Sequence, residues 1–178
     1  MSLFLGLNML VFEQVNANIF LLKLNSFRDD RGRFTKINLP ESYSDFKHMY
    51  ISHNPHDSTL RGLHFQDPPF SERKIVLCLE GKVFDVAVSV KPNIEGEHDV
   101  FHVTIGPDEE YQGIVIPHGM AHGYQTLTGN STLIYFVDQE YVPSHSCRIR
   151  WDDPKLGIRW PQVPSLISDA DLNAPYIK

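Results

Sequence analysis

The sequence of 178 residues contains little cysteine and no excess of basic residues. Cys78 and Cys147 are too few for the disulfide framework of a small secreted protein. Lysine and arginine together number 16, against 22 aspartates and glutamates, so the formal net charge is −6, and no long basic run is present. These two deficits argue against a disulfide-stabilised extracellular domain and against nucleic acid as the main partner.

Long hydrophobic runs are also missing. The apolar stretch Met1–Phe12 has no basic segment before it, and Glu13 follows too soon for a membrane span. We interpret this stretch as a terminal strand and expect no membrane partner. With 42% hydrophobic and 21% charged residues, we expect one domain over residues 1–178, located in the cytoplasm.

Apolar alternation with a period of two residues recurs along most of the chain, and turn residues separate the runs. The predicted strands cover residues 19–24, 33–38, 48–53, 59–66, 74–80, 82–90, 99–105, 113–116, 123–127 and 132–138. Helical patterning is limited to one short turn at 41–46, and the Pro- and Asp-rich tail from Asp152 to Lys178 is expected to wrap the strands. Many short strands at this spacing predict an all-β sandwich or jelly roll.

Two segments place histidines beside glycines within this strand pattern. Residues 61–66 read Arg-Gly-Leu-His-Phe-Gln, and residues 116–123 read Ile-Pro-His-Gly-Met-Ala-His-Gly. The second resembles the Pro-x-Gly-x-x-His turn of the cupin superfamily, whereas the first lacks the His-x-His and nearby Glu of the cupin metal motif. Gln66 follows His64 instead, and the next ionisable side chain with the same orientation is Lys74. This pattern favours acid–base chemistry over metal chemistry.

Strand parity predicts which side chains share a face, because successive residues of a strand alternate. It groups Lys74 with Val76 and Cys78, and Tyr135 with Leu133 and Val137. It also groups His64 with Leu60, Gly62 and Gln66, and Gly62 would leave room for a ligand. A pocket containing His64, Lys74 and Tyr135 follows, whereas Arg61 has the opposite parity and would reach it from a strand end or a second subunit.

Each of these residues also has a simpler interpretation. Lys74 could end a strand at a sheet edge, and Tyr135 lies in an apolar run typical of a core. Three histidines, His64, His118 and His122, also leave open a zinc or iron site in a metal-binding or non-catalytic cupin.

Taken together, the motifs closely resemble the dTDP-4-dehydrorhamnose 3,5-epimerase family, cofactor-free sugar-nucleotide epimerases of cupin fold that are usually homodimers. The resemblance runs from about Phe27 to Pro175. Its blocks are residues 30–34 (DRGRF), 60–66 (LRGLHFQ), Lys74, 81–88 (GKVFDVAV), 116–123 (IPHGMAHG), 151–154 (WDDP), 156–158 (LGI), 160–161 (WP) and 166–171 (LISDAD).

The resemblance implies a cupin-type jelly-roll β-barrel, a nucleotide-sugar substrate, a homodimer, and neither a cofactor nor a metal. It assigns His64 as general base, Asp171 as its orienting carboxylate, Lys74 as the cation near the ketone oxygen and Tyr135 as general acid. It places substrate contacts at Arg31, Phe34, Arg61, His122 and Tyr141, and we add Gln66 from the shared strand face.

Several positions depart from the family pattern. Lys36 stands where family members carry a glutamate, and Glu140 where a second tyrosine is common. Ser146 and Ala170 stand where the bifunctional enzymes have charged side chains that contact the substrate. The nucleotide, the sugar, and inversion at C3, C5 or both are therefore open.

Overall fold

The computed structural model describes residues 10–15 and 19–177. The strands are β1 (Leu10–Gln14), β2 (Phe20–Leu24), β3 (Ser26–Asp29), β4 (Gly32–Thr35), β5 (His48–Asn54), β6 (Thr59–Gln66), β7 (Lys74–Glu80), β8 (Val83–Ser89), β9 (Val100–Ile105), β10 (Gly113–Ile116), β11 (Met120–Thr126), β12 (Ser131–Val137), β13 (Ser146–Arg148) and β14 (Leu166–Ile167). Short 3-10 turns cover Glu41–Tyr43 and Pro143–His145, and one short helix, α1, spans Asp169–Leu172. The all-β prediction is confirmed.

Two sheets face each other in a jelly-roll arrangement. The first sheet has the order β1-β2-β10-β7-β12-β5, and the second has the order β13-β6-β11-β8-β9, with β14 pairing β6. Strands β3 and β4 form a separate hairpin. Within the described residues the two sheets do not join into a strictly closed barrel.

The core between the sheets comes from alternate residues of their strands. Val76 and Leu133 of the first sheet pack in one buried cluster with Ala87 and Tyr124 of the second. The faces predicted for β7 and β12 are therefore correct, and they set Lys74 and Tyr135 on the interior side. Interior side chains at the ends of these strands can line a cavity rather than fill it.

The C-terminal tail covers the outer face of the second sheet. Leu156 and Ile177 are buried against Phe84 and Val86, and Trp160 packs on the same cluster. This packing agrees with the predicted wrapping of the tail. It also carries α1, and with it Asp171, to the edge of β6, because β14 pairs Thr59 and Leu60 of that strand immediately before the helix.

The differences from the predicted strands have local causes. The predicted strand 33–38 ends at Thr35 and is the second arm of a hairpin whose first arm, β3, was not predicted. Strand β11 begins at Met120 rather than residue 123, because the preceding turn ends at Gly119, which has a φ of +80° that favours glycine. Most of the predicted N-terminal strand Met1–Phe12 lies outside the described residues. None of the helices in the described part of the chain is long and apolar enough to cross a membrane.

Candidate active site

A cavity of about 360 Å³ opens between the two sheets. His64 and Gln66 of β6 line it from the second sheet, whereas Lys74 of β7 and Tyr135 of β12 line it from the first. The remaining lining residues are Tyr50, Phe65, Glu72, Val137, Tyr141, Ser146 and Arg148. The predicted grouping of His64, Lys74 and Tyr135 is therefore present, with the imidazole and the phenol on opposing sheets.

Strand β6 is irregular at Gly62, so the predicted parity is wrong for the residues that precede this glycine. His122 of β11 pairs His64, whereas Tyr124 pairs Arg61, so two residues of β6 oppose one residue of β11. This extra residue is a β-bulge, and it reverses the alternation of the strand. Arg61 therefore shares the face of His64, and Leu60 does not, which is the reverse of the prediction.

Gly62 was predicted to leave room for a ligand, and this was wrong. Its φ is +116°, and a Cβ at this position would lie 2.5 Å from the Cα of Gly123 and 2.7 Å from the carbonyl oxygen of His122. The missing side chain therefore admits the backbone of β11. Only glycine fits where the bulge brings the two strands this close.

His64 forms a close pair with Asp171. The imidazole Nε2 lies 2.6 Å from Asp171 Oδ1, although the two residues are far apart in the sequence. Asp171 lies in α1, whose N-cap Ser168 accepts a hydrogen bond from the Asp171 backbone N–H at 3.1 Å. The Gly62 N–H at the bulge also points to Asp171 Oδ2, at 3.4 Å.

The environment of Asp171 keeps its carboxyl ionised. Burial by itself would raise the pKa of this carboxyl, but the hydrogen bond from His64 and further hydrogen bonds from Gly62 and Ser168 hold the pKa below its ordinary value. A carboxylate can only accept a hydrogen bond. The proton between the two groups therefore lies on Nε2 of His64, which leaves the lone pair on Nδ1.

Lys74 is the first residue of β7, and its buried side chain pairs with a carboxylate. Its Nζ lies 2.9 Å from Glu72 Oε1, and both side chains are about one-tenth exposed. The same Nζ donates to the backbone carbonyl oxygen of His64 at 3.5 Å. These contacts hold the lysine amino group close to the strand that carries the histidine.

Tyr135 belongs to a polar network that runs through the interior. Its neighbour Tyr124 contacts Ser52 Oγ at 2.9 Å and donates to Asn54 Oδ1 at 3.3 Å, and Arg61 Nε donates to the same amide oxygen at 2.9 Å. Burial raises the pKa of the Tyr135 phenol well above its ordinary value, Tyr124 and Asp85 raise it further, and Arg61 opposes them. The phenol therefore keeps its proton throughout the neutral pH range.

Gln66 and Tyr141 lie on the cavity, but Gln66 is already fully engaged by the protein. Its Nε2 donates to the carbonyl oxygens of Phe70 and Glu140, each at 3.1 Å, and its Oε1 accepts from the Val142 N–H at 2.7 Å. Gln66 therefore braces the loop that carries Tyr141. Tyr141 is half exposed at the mouth of the cavity.

The three histidines of the alternative metal site do not converge. His64 contacts Asp171, His118 Nε2 lies 3.0 Å from Asp138 Oδ2, and His122 Nε2 lies 2.9 Å from Asp85 Oδ2. Over residues 10–15 and 19–177, no three His, Cys, Asp or Glu side chains form a group that could hold a metal ion. The buried His122 ring lies 6.0 Å from the ring of Tyr135, so it belongs to the interior network.

Arg31 and Phe34 lie away from this cavity. Both line a separate depression on the β3–β4 hairpin together with Phe27, Asp29, Gly32 and Arg33. The Arg31 guanidinium pairs with Asp29 at 2.6 Å, and the Phe34 side chain is exposed. Within the described part of a single chain, Arg31 and Phe34 therefore do not lie in the cavity that contains His64.

Three charged or aromatic polar lining residues were not predicted from the sequence: Glu72, Tyr50 and Arg148. Glu72 precedes β7, which begins at Lys74, so strand parity does not extend to it. Tyr50 and Arg148 depend on pairing across strands, Tyr50 with Tyr135 and Arg148 with His64. A single sequence does not contain that register.

Comparisons with known proteins agree with this geometry. Residues 15–178 match the family model described as dTDP-4-dehydrorhamnose 3,5-epimerase. The enzyme of that name from Escherichia coli K12 is 34% identical over 160 residues, which cover 84% of each chain.

Solved structures of dTDP-4-dehydrorhamnose 3,5-epimerases have the same fold. The structure from Sulfolobus tokodaii has a TM-score of 0.83 at 30% identity, covering 95% of this chain and 96% of that one. The structure from Bacillus anthracis Ames, with TDP and PPi bound, has a TM-score of 0.83 at 27% identity, covering 93% and 99%. The chain belongs to the dTDP-4-dehydrorhamnose 3,5-epimerase family, as its sequence motifs indicate.

Proposed function

We propose that the chain catalyses cofactor-independent epimerisation of a nucleotide-linked 4-keto-6-deoxyhexose, dTDP-4-dehydro-6-deoxy-D-glucose, at C3 and C5 or at C3 alone. The observation that carries this proposal is the placement of His64 and Tyr135 on opposing sheets of one cavity. A sugar ring held between them would meet a base on one face and an acid on the other. Membership of the epimerase family supports the same chemistry.

His64 is the proposed base. Hydrogens on carbons next to a ketone are acidified because their removal gives an enolate. Asp171 fixes the proton on Nε2, so Nδ1 is the atom that takes the substrate proton, and the carboxylate stabilises the imidazolium that results.

Lys74 is the proposed stabiliser of the enolate oxygen. Its Nζ sits beside the His64 strand and is held by Glu72, so it needs no reorganisation when negative charge develops on the ketone oxygen. One such preorganised donor is typically worth about 3–4 kcal/mol of transition-state stabilisation. In this scheme Glu72 positions the lysine rather than touching the substrate.

Tyr135 is the proposed acid, because its phenol stays protonated and stands on the sheet opposite His64. Return of a proton from that side inverts the carbon. Tyr141 would contact the substrate from the mouth of the cavity. Arg61 lines the adjoining depression that His64 also borders, and it would contact a part of the substrate that extends there. The buried His122 ring lies 6.0 Å from the ring of Tyr135, so its proposed role is to support the acid. Gln66 acts by holding the Tyr141 loop, which refines the substrate contact predicted for it.

A homodimer is the proposed assembly, because it would cover apolar surface and supply the missing substrate contacts. The hairpin exposes Phe27 and Phe34, which pair across β3 and β4. Strand β5, at the edge of the first sheet, exposes Met49 and Ile51. A second copy packed on these surfaces would bring its own Arg31 and Phe34 to this cavity. Exposed apolar patches of this kind are typical of interaction sites.

The dimer is tested by a charge placed on β5. We expect the wild type to sediment as a dimer and Ile51→Glu to shift it towards monomer and to lower activity in parallel, because a carboxylate would be buried unpaired in the interface. Ile94→Glu, at a fully exposed loop position, is the matched control and should remain dimeric. A wild type that is active and monomeric at every concentration in analytical ultracentrifugation would contradict this assembly.

The reaction is tested on the wild type. We expect deuterium from heavy water to enter dTDP-4-keto-6-deoxy-D-glucose at the epimerised carbons, because each proton removed is replaced from solvent through the enolate. Proton NMR would show label at C3 and C5 for a 3,5-epimerase and at C3 alone for a 3-epimerase. Absence of label at both carbons would contradict the proposal for this substrate.

A further inference from the structure

Arg148 is a charged residue that lines the cavity but is not among the proposed catalytic and substrate-binding groups. It ends β13, where it is the direct cross-strand partner of His64. Paired residues of neighbouring strands point to the same face, and His122 occupies the next position across β6. The guanidinium is therefore in the same row as the proposed base.

Arg148 and His64 contact one oxygen atom. Arg148 Nε donates to Asp171 Oδ1 at 3.3 Å, and His64 Nε2 lies 2.6 Å from the same atom. The two nitrogens are consequently at most about 6 Å apart. Asp171 is buried, whereas the Arg148 and His64 side chains are each 39% exposed.

Arg148 also lies between two depressions. It lines the cavity with Lys74 and Tyr135, and it lines a second depression of about 410 Å³ that contains Arg61 and Asp171, and His64 borders both. The terminal nitrogens of its guanidinium have no hydrogen-bonding partner among residues 10–15 and 19–177. The Asp171 contact therefore fixes the orientation of this side chain.

We propose that Arg148 is a positioning residue that shares the Asp171 carboxylate with His64 and thereby tunes how strongly the base holds its proton. This inference rests on the proposed role of His64. By taking part of the carboxylate's hydrogen-bonding capacity and by placing a positive charge next to the ring, Arg148 disfavours the imidazolium. Asp171 acts in the opposite direction, so the two partners together set the balance.

The other charged and titratable groups around the ring do not replace Arg148. Lys74 contacts the backbone carbonyl of His64 and is paired with Glu72, and Arg61 is turned to Asn54. His122 is paired with Asp85. Three tyrosines, Tyr50, Tyr135 and Tyr141, line the same cavity as the His64 ring, but none of them contacts Asp171 Oδ1. Arg148 differs from all of these in contacting the oxygen that His64 uses.

The test compares Arg148→Gln, Arg148→Lys and Arg150→Gln. Arg150 is the matched control, because it carries the same charge two residues away but pairs with Asp152 outside both depressions. The readouts are the pH profile of kcat/KM and the NMR titration of the His64 ring protons in the free protein, with thermal melting to check folding. The ring titration needs no substrate, so it decides the role of Arg148 even where turnover of the chosen sugar fails.

We expect Arg148→Gln to move the acid limb of kcat/KM and the ring titration upward by about 0.5–1 pH unit, the size expected for one charge about 6 Å away in a partly exposed site. Arg148→Lys should keep most of the wild-type profile, Arg150→Gln should keep all of it, and added salt should reduce the shift. The proposal is overturned if Arg148→Gln titrates like the wild type, if Arg148→Lys shifts as far as Arg148→Gln, or if KM alone changes.

Discussion

The His64→Asn variant is expected to lose both epimerisation and deuterium exchange by about 10²- to 10⁴-fold, the usual contribution of a general base. Asparagine can still donate to Asp171, but it cannot accept a proton. Because the enolate cannot form without proton removal, exchange at C3 and C5 should fall together with product formation. The measurement is heavy-water exchange followed by NMR alongside steady-state turnover.

His118→Asn is the matched control for this variant. His118 also contacts an aspartate, Asp138, at 3.0 Å, but it lies outside the cavity and its side chain is half exposed. We expect it to retain turnover within a few fold. Equal losses in the two variants, together with stoichiometric zinc or iron in the purified protein, would favour the metal-binding alternative instead and would contradict the assignment of His64.

Periodicity predicts the part of the site that lies on regular strands. Strands β7 and β10 begin and end where the apolar alternation does, and alternation places Lys74 and Tyr135 on interior faces. In β12 the more deeply buried residues Leu133 and Val137 mark the interior face, so a shift by one residue would expose them. Strand β7 is buried on both faces, and its parity holds because the strand is regular: Val76 and Cys78 pack between the sheets, whereas Ile75 and Leu77 pack in a separate cluster. Where a strand is regular, its sequence determines which side chains share the face that reaches the cavity.

Periodicity fails where pairing across strands decides the geometry. The bulge at Gly62 puts Arg61 on the same face as His64, and it is defined by the register of β6 against β11, which no local pattern of β6 contains. Asp171 lies in a four-residue helix after a two-residue strand, and both elements are too short to leave a periodic signal. Its position was implied only by the family resemblance. Arg148 appears only through the register of β13 with β6.

The Tyr135→Phe variant is expected to separate proton removal from inversion. Removal of one hydroxyl takes away the proposed acid but leaves His64, Asp171 and Lys74 in place. Deuterium should therefore still enter the substrate through His64, whereas formation of the inverted product should fall by about 10²- to 10⁴-fold, as is typical for loss of a general acid. The diagnostic quantity is the ratio of exchange to inversion, measured by NMR in one reaction.

Two other tyrosines make this test specific. Tyr111→Phe removes a hydroxyl that donates to Glu13 outside the cavity and should not change the ratio. Tyr50→Phe is the stricter comparison, because Tyr50 pairs with Tyr135 across β5 and β12 and lines the same cavity. If Tyr50→Phe raised the ratio and Tyr135→Phe did not, the acid would be Tyr50. Parallel loss of exchange and inversion in Tyr135→Phe would mean that the phenol serves proton removal itself, because only an acid that acts after the enolate forms leaves exchange intact.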